Sequence, residues 1–89
     1  MNLSVNWELK VDDVVFKALK KIPTKNREAL LSTIKLLVTN PYYGDLQKMR
    51  GEENSWRRRV GSYRIFYKIQ TEEKIILVFK LKRRTSNTY

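Results

Sequence analysis

At 89 residues the chain has room for one small domain, 1–89, and its 19 lysines and arginines against 9 aspartates and glutamates leave a net charge of +10 that calls for a polyanionic partner, nucleic acid first. Cysteine and histidine are absent, which excludes disulfides, thiolate metal sites, cysteine nucleophiles and the commonest general acid–base. Chemistry then falls to Tyr, Lys, Arg, Glu, Asp or Ser with no metal or cofactor, and the lack of a membrane-length apolar run or a signal peptide points to the cytoplasm.

Leu3, Val5, Trp7 and Leu9 alternate with polar residues, the period of a half-buried strand. Asp12 or Asp13 can cap a following helix, in which Val14, Val15, Ala18, Leu19 and Ile22 recur at helical spacing. Pro23 ends that helix or opens the next. A second helix is predicted from about Lys25 to Thr39, with Leu30, Leu31, Ile34, Leu37 and Val38 as its apolar stripe. Asn40-Pro41 stops it, because the residue before proline disfavours the helical region. Residues 40–55, punctuated by Gly44 and Gly51, read as a loop. Three strands follow, at 55–60, 63–70 and 74–82, joined by turns at Gly61-Ser62 and Thr71-Glu72-Glu73. The order β-α-α-β-β-β predicts an α+β domain, with a helical hairpin on one face of a mainly antiparallel sheet.

Alternation along the strands assigns the charges to faces. Arg57 and Arg59 share one face of their strand, with Trp56, Arg58 and Val60 on the other. Arg64, Phe66 and Lys68 share a face of the next strand. On the last strand Lys80 and Lys82 continue the row of Ile76 and Val78, opposite Ile75, Leu77, Phe79 and Leu81. If the helices cover the Ile75 and Leu77 side, then Arg57, Arg59, Arg64, Lys80 and Lys82 converge on the open face, with Arg83 and Arg84 at the strand exit. Such a patch fits phosphate contact, although a run like Arg57-Arg58-Arg59 also occurs on edge strands protected against aggregation.

The stretch 46–51, Leu-Gln-Lys-Met-Arg-Gly, followed by Trp56-Arg57-Arg58-Arg59-Val60-Gly61-Ser62-Tyr63-Arg64-Ile65-Phe66-Tyr67, resembles the signature of the RelE/ParE toxin superfamily. The tail, Lys82-Arg83-Arg84 through Tyr89, is similar to RelE-type tails, and element order and length also match. The resemblance implies a toxin of a type II toxin–antitoxin system. In RelE toxins this is a metal-independent endoribonuclease that cuts messenger RNA in the ribosomal A site by attack of the ribose 2′-hydroxyl on the adjacent phosphate. It also implies an antitoxin partner, small and with an acidic segment. The catalytic positions it implies are Arg57, Arg59, Arg64, Arg83 and Tyr89; the basic run and patch add Arg58, Lys80, Lys82 and Arg84 as expected RNA contacts.

One feature departs from the RelE pattern. Lysines stand in the better-known members at the positions of Arg57 and Arg59, one of them proposed as general base, and arginine stays protonated. Two alternatives therefore stay open: a ParE-type toxin that inhibits DNA gyrase by binding protein, and a non-catalytic RNA-binding relic.

Overall fold

The computed structural model describes residues 7–44, 46–51 and 54–83. Strand β1 (Glu8–Val11) leads into helix α1 (Asp13–Lys20) and helix α2 (Thr24–Leu36). Strands β2 (Leu46–Lys48), β3 (Ser55–Val60), β4 (Tyr63–Gln70) and β5 (Ile75–Arg83) follow. They form one five-stranded sheet in the order β1-β5-β4-β3-β2. The hairpins β2–β3, β3–β4 and β4–β5 are antiparallel, and β1 returns beside β5 as the parallel strand. Both helices precede the hairpins, so the helical crossover connects β1 to the rest of the sheet and covers one of its faces. The predicted α+β order holds, with one strand added: β2 lies within the region read as a loop, and its three residues are too few to show a period. The strand expected at residues 3–9 overlaps β1 only at Glu8 and Leu9, β1 running on to Val11; the part of the expected strand before Trp7 lies outside the described residues.

Each helix contributes a narrow apolar stripe. Val15, Leu19 and Ile22 come from α1 and its end, and Leu30, Ile34 and Leu37 from α2 and its end. They pack on Tyr63, Ile65, Tyr67 and Ile69 of β4 and on Ile76, Val78 and Leu81 of β5. Asp12 stands at the N-cap of α1 through its backbone carbonyl, which accepts from Val15 N–H at 2.9 Å, while its side chain makes no cap bond. The helical hairpin is held by Arg27. Its Nε donates to Leu19 O at 3.1 Å, which also accepts from Ile22 N–H, and its Nη2 donates to Ile22 O at 3.0 Å just past the end of α1. Gly61 takes φ +58°, the left-handed value that a two-residue β3–β4 turn needs.

The faces differ from the expected assignment in one respect. Ile76 and Val78 are fully buried in the core, and Ile75 and Leu77 are on the side away from the helices. Strict alternation would then carry Lys80 and Lys82 into the core as well. A register shift between Phe66 and Tyr67 prevents it: Tyr67 pairs with Val78 and Phe66 with Lys80, so Phe79 is an extra residue in β5. Beyond this bulge the parity reverses. Leu81 turns to the helices, opposite Ile65, and Lys80 and Lys82 face away from them.

Tyr67 ties the long connection after α2 to the sheet. Its hydroxyl donates to Pro41 O at 2.8 Å, across 26 residues, and its ring is wholly buried. Burial pushes the phenol up to about 12, against an opposing pull from the Arg58 guanidinium. The folded state thus holds this proton more tightly than the unfolded chain, whose phenol titrates near 10.0. The stabilisation is full below that value and is lost as pH rises through about 12. Tyr67→Phe should cost about 1 kcal/mol at neutral pH, for one lost hydrogen bond. In urea unfolding between pH 10 and 12, the unsubstituted protein should lose roughly 2 kcal/mol more than the variant. Parallel pH profiles would contradict this account of Tyr67.

Candidate nucleic-acid interface

The face opposite the helices carries the charge. Arg59 pairs with Arg64, and Arg64 with Lys82, so these three form a row across β3, β4 and β5. The next row along is Gln47, Arg57, Phe66 and Lys80, running from β2 to β5. Arg57, Arg59 and Arg64 with Gln47 line a shallow cleft of about 140 Å³. Arg57 Nη2 donates to Gln47 Oε1, which fixes one guanidinium against the β2 edge. A second hollow, about 300 Å³, continues past Arg57 along Gln47, Lys48, Met49 and Arg50.

Guanidinium groups on adjacent strands suit a phosphate. Each is planar, permanently charged and able to donate two parallel hydrogen bonds to anionic oxygens. Strand pairing fixes the spacing of the backbone positions that carry them. Among the described residues no three of His, Cys, Asp or Glu come together. The three arginines that line the cleft give it the charge that suits an anion.

The expected site residues divide accordingly. Arg57, Arg59, Arg64, Lys80 and Lys82 are brought together on the open face. Arg58 is not, because alternation sends it to the helix side, opposite Leu46 and Ile65. There its Nη1 donates to Tyr43 O at 2.7 Å and its guanidinium carbon stands 5.5 Å from the centre of the Tyr43 ring. It also packs so tightly on Gly44 that a Cβ at that position would fall 2.5 Å from it. As an RNA contact Arg58 is thus corrected to a brace for the 40–44 loop.

Arg83 also stands apart from the arginine cleft. It pairs with Tyr63 and lines a separate groove of about 710 Å³ between the helical hairpin and the start of β4, beside Ile22, Pro23 and Leu81. Arg84 and Tyr89 lie outside the described residues. Sequence reasoning missed Gln47, whose strand is too short to show a period. It also missed the neighbourhood of Phe66 and Phe79, which depends on the bulge.

Comparison with known proteins places the chain. A family model described as the ParE toxin of the type II toxin–antitoxin system, parDE, matches residues 7–87. A Methanocaldococcus jannaschii protein designated toxin RelE1 is 28% identical over 83 residues, covering 90% of this chain and 92% of that protein. Among solved structures, the archaeal RelE–RelB complex from Pyrococcus horikoshii includes a chain with TM-score 0.81 and 27% identity. The alignment covers 93% of this chain and all of that one, 100%. The isolated Escherichia coli RelE toxin, at 19% identity and TM-score 0.77 over 91% of this chain and 87% of its own, shares the fold. No helix among the described residues is long and apolar enough to cross a membrane. With a family match over nearly its whole length, the chain belongs to the ParE toxin family of type II toxin–antitoxin systems, and RelE toxins are among the proteins it is similar to.

Proposed function

We propose that this toxin is a metal-independent endoribonuclease that cuts messenger RNA in the ribosomal A site and so stops translation. The observation that carries the reading is the cleft of Arg57, Arg59 and Arg64 on the sheet face opposite the helices. In the proposed reaction the 2′-oxygen forms a bond to the adjacent phosphorus, and the bond from phosphorus to the 5′-oxygen breaks. The 2′-proton leaves to a base, the 5′-oxygen gains a proton, and the products are a cyclic phosphate and a free 5′-hydroxyl. The arginines bind the scissile phosphate and stabilise the charge that builds on its oxygens. Their fixed protonation makes them electrostatic partners and leaves proton transfer to another group. Tyr89, and Arg83 at the rim of the neighbouring groove, complete the proposed catalytic set, with Lys80 and Lys82 holding flanking phosphates.

The same reading places the protein in the cytoplasm with a cognate antitoxin. Several structural relatives were solved as RelE–RelB or RelBE toxin–antitoxin complexes, which supports a partner of that kind here. An acidic segment in that partner matches the net charge of +10 and would speed encounter. A second reading, gyrase inhibition by protein binding, is favoured by one observation, the ParE designation of the matching family. The two readings separate on what is damaged in the cell.

Brief expression followed by primer extension should reveal new 5′ ends inside translated codons. Arg64→Ala should lower that cleavage about a hundredfold, the usual effect of removing one donor to transition-state charge, in a variant that melts like the parent. Intact messenger with supercoiling defects would overturn the nuclease reading, and undiminished cutting by Arg64→Ala would overturn the site.

The proposed contacts to phosphate also set a salt dependence. Each neutralised phosphate releases counterions, so ribosome or RNA affinity should fall steeply between about 50 and 200 mM salt, by a factor of about ten or more for several contacts. A binding titration that barely responds to ionic strength would instead indicate an apolar protein–protein contact.

A further inference from the structure

Two phenylalanines stand where the core has no use for them. Phe66 is only 6% exposed, yet it is not part of the core cluster formed by its strand neighbours Ile65 and Tyr67. It faces away from the helices, between Arg57 and Lys80. Phe79, the extra residue of the bulge, brings its ring centre to 6.4 Å from that of Phe66, at 50°. Ile75 and Leu77 extend the apolar strip on the same side of β5. The open face is therefore cationic at one end and aromatic at its centre, on one continuous sheet.

Lysines cover both rings. Lys80 Nζ stands 5.2 Å from the centre of Phe66, and Lys68 Nζ stands 5.9 Å from the centre of Phe79. Lysine on a flexible stem is a replaceable cover, since its ammonium can swing to a phosphate when another group takes its place over the ring. Phe66 is nearly enclosed and serves as a floor. Phe79 is partly exposed and is available to a ligand.

We propose that Phe79, supported by Phe66, is a stacking platform for a base of single-stranded RNA whose phosphates lie on Arg57, Arg59, Arg64 and the displaced lysines. The inference rests on the messenger-cleavage reading and deepens it. Aromatic faces on a sheet flanked by cations are a general way to hold single-stranded nucleic acid, because every base has a π-face and its backbone is polyanionic. A duplex keeps its bases stacked inside and cannot use such a platform. The stacked base would be splayed from its neighbour, which fixes the backbone beside it against the arginine cleft. Phe79 is thus a positioning and binding residue, tolerant of base identity.

The test measures binding of a fluorescent single-stranded oligoribonucleotide to the full chain at low salt, alongside thermal melting. Phe79→Leu keeps the apolar volume and removes the π-face. It should weaken binding about tenfold with an unchanged melting temperature, and Phe79→Tyr should bind like the parent. A backbone of the same length and charge with abasic sites should bind the unsubstituted protein about tenfold more weakly, a comparison that needs no variant. Equal affinity for the abasic and normal strands, or parental binding by Phe79→Leu, would overturn the proposal. If Arg64→Ala still loses binding in that case, the RNA-directed reading survives without the platform. If the parent protein binds no single strand, the platform falls, and the cleavage reading is decided separately by the new 5′ ends inside translated codons.

Discussion

One extra residue in β5 decides which side chains meet water. Ile76 and Val78 must reach the core, because they close it against Tyr67 and Ile69. Two residues later in a regular strand, Lys80 and Lys82 would follow them inward, and a buried, unpaired ammonium is far costlier than any gain from the strand. The bulge at Phe79 reverses the parity within one residue. Apolar side chains line the helix side on both halves of the strand, and the cations emerge beside Arg64. The same irregularity frees Phe79 from pairing and leaves its ring beside Phe66. The burial of Leu81, the exposure of Lys80 and Lys82 and the place of Phe79 thus have one geometric cause.

The two faces of the sheet then divide the work. On the helix side, burial of Tyr67, its bond to Pro41 O, the Arg58 contact with Tyr43 and the Arg27 clamp on the end of α1 hold the long connections in place. On the open side, guanidinium groups held by strand pairing face solvent, with Gln47 steadying Arg57 from the edge strand. A rigid floor with charged groups at fixed spacing can bind an anion without reordering itself, which is what stabilising a developing phosphate charge requires.

Much of this was legible in the sequence. Helical periodicity found both helices, with their ends shifted by a few residues, and Gly61-Ser62 marked the β3–β4 turn. Alternation put Arg57, Arg59 and Arg64 on one face, and so did the structure. The assignment of Ile75, Leu77 and Phe79 to the helix side fails because a bulge leaves no mark in a run of apolar residues, where either parity looks equally good. Lys80 and Lys82 nonetheless reach the open face, by a route that alternation does not contain. The strand β2 was too short to read, and with it went Gln47. Arg58 sits in a basic triplet whose members look alike in sequence. Strand pairing alone separates its structural use from the exposure of its neighbours.

The central claim is that the uncovered sheet face, with its arginine cleft, meets the messenger. The most direct measurement is the structure of this protein on a ribosome programmed with a messenger whose A-site 2′-hydroxyl is methylated, so that attack is blocked and the complex persists. The account predicts the protein in the A site, with Arg57, Arg59 and Arg64 within hydrogen-bond distance of one messenger phosphate and the helical hairpin turned away. A complex in which the helices face the messenger, or in which these arginines contact no phosphate, would contradict it.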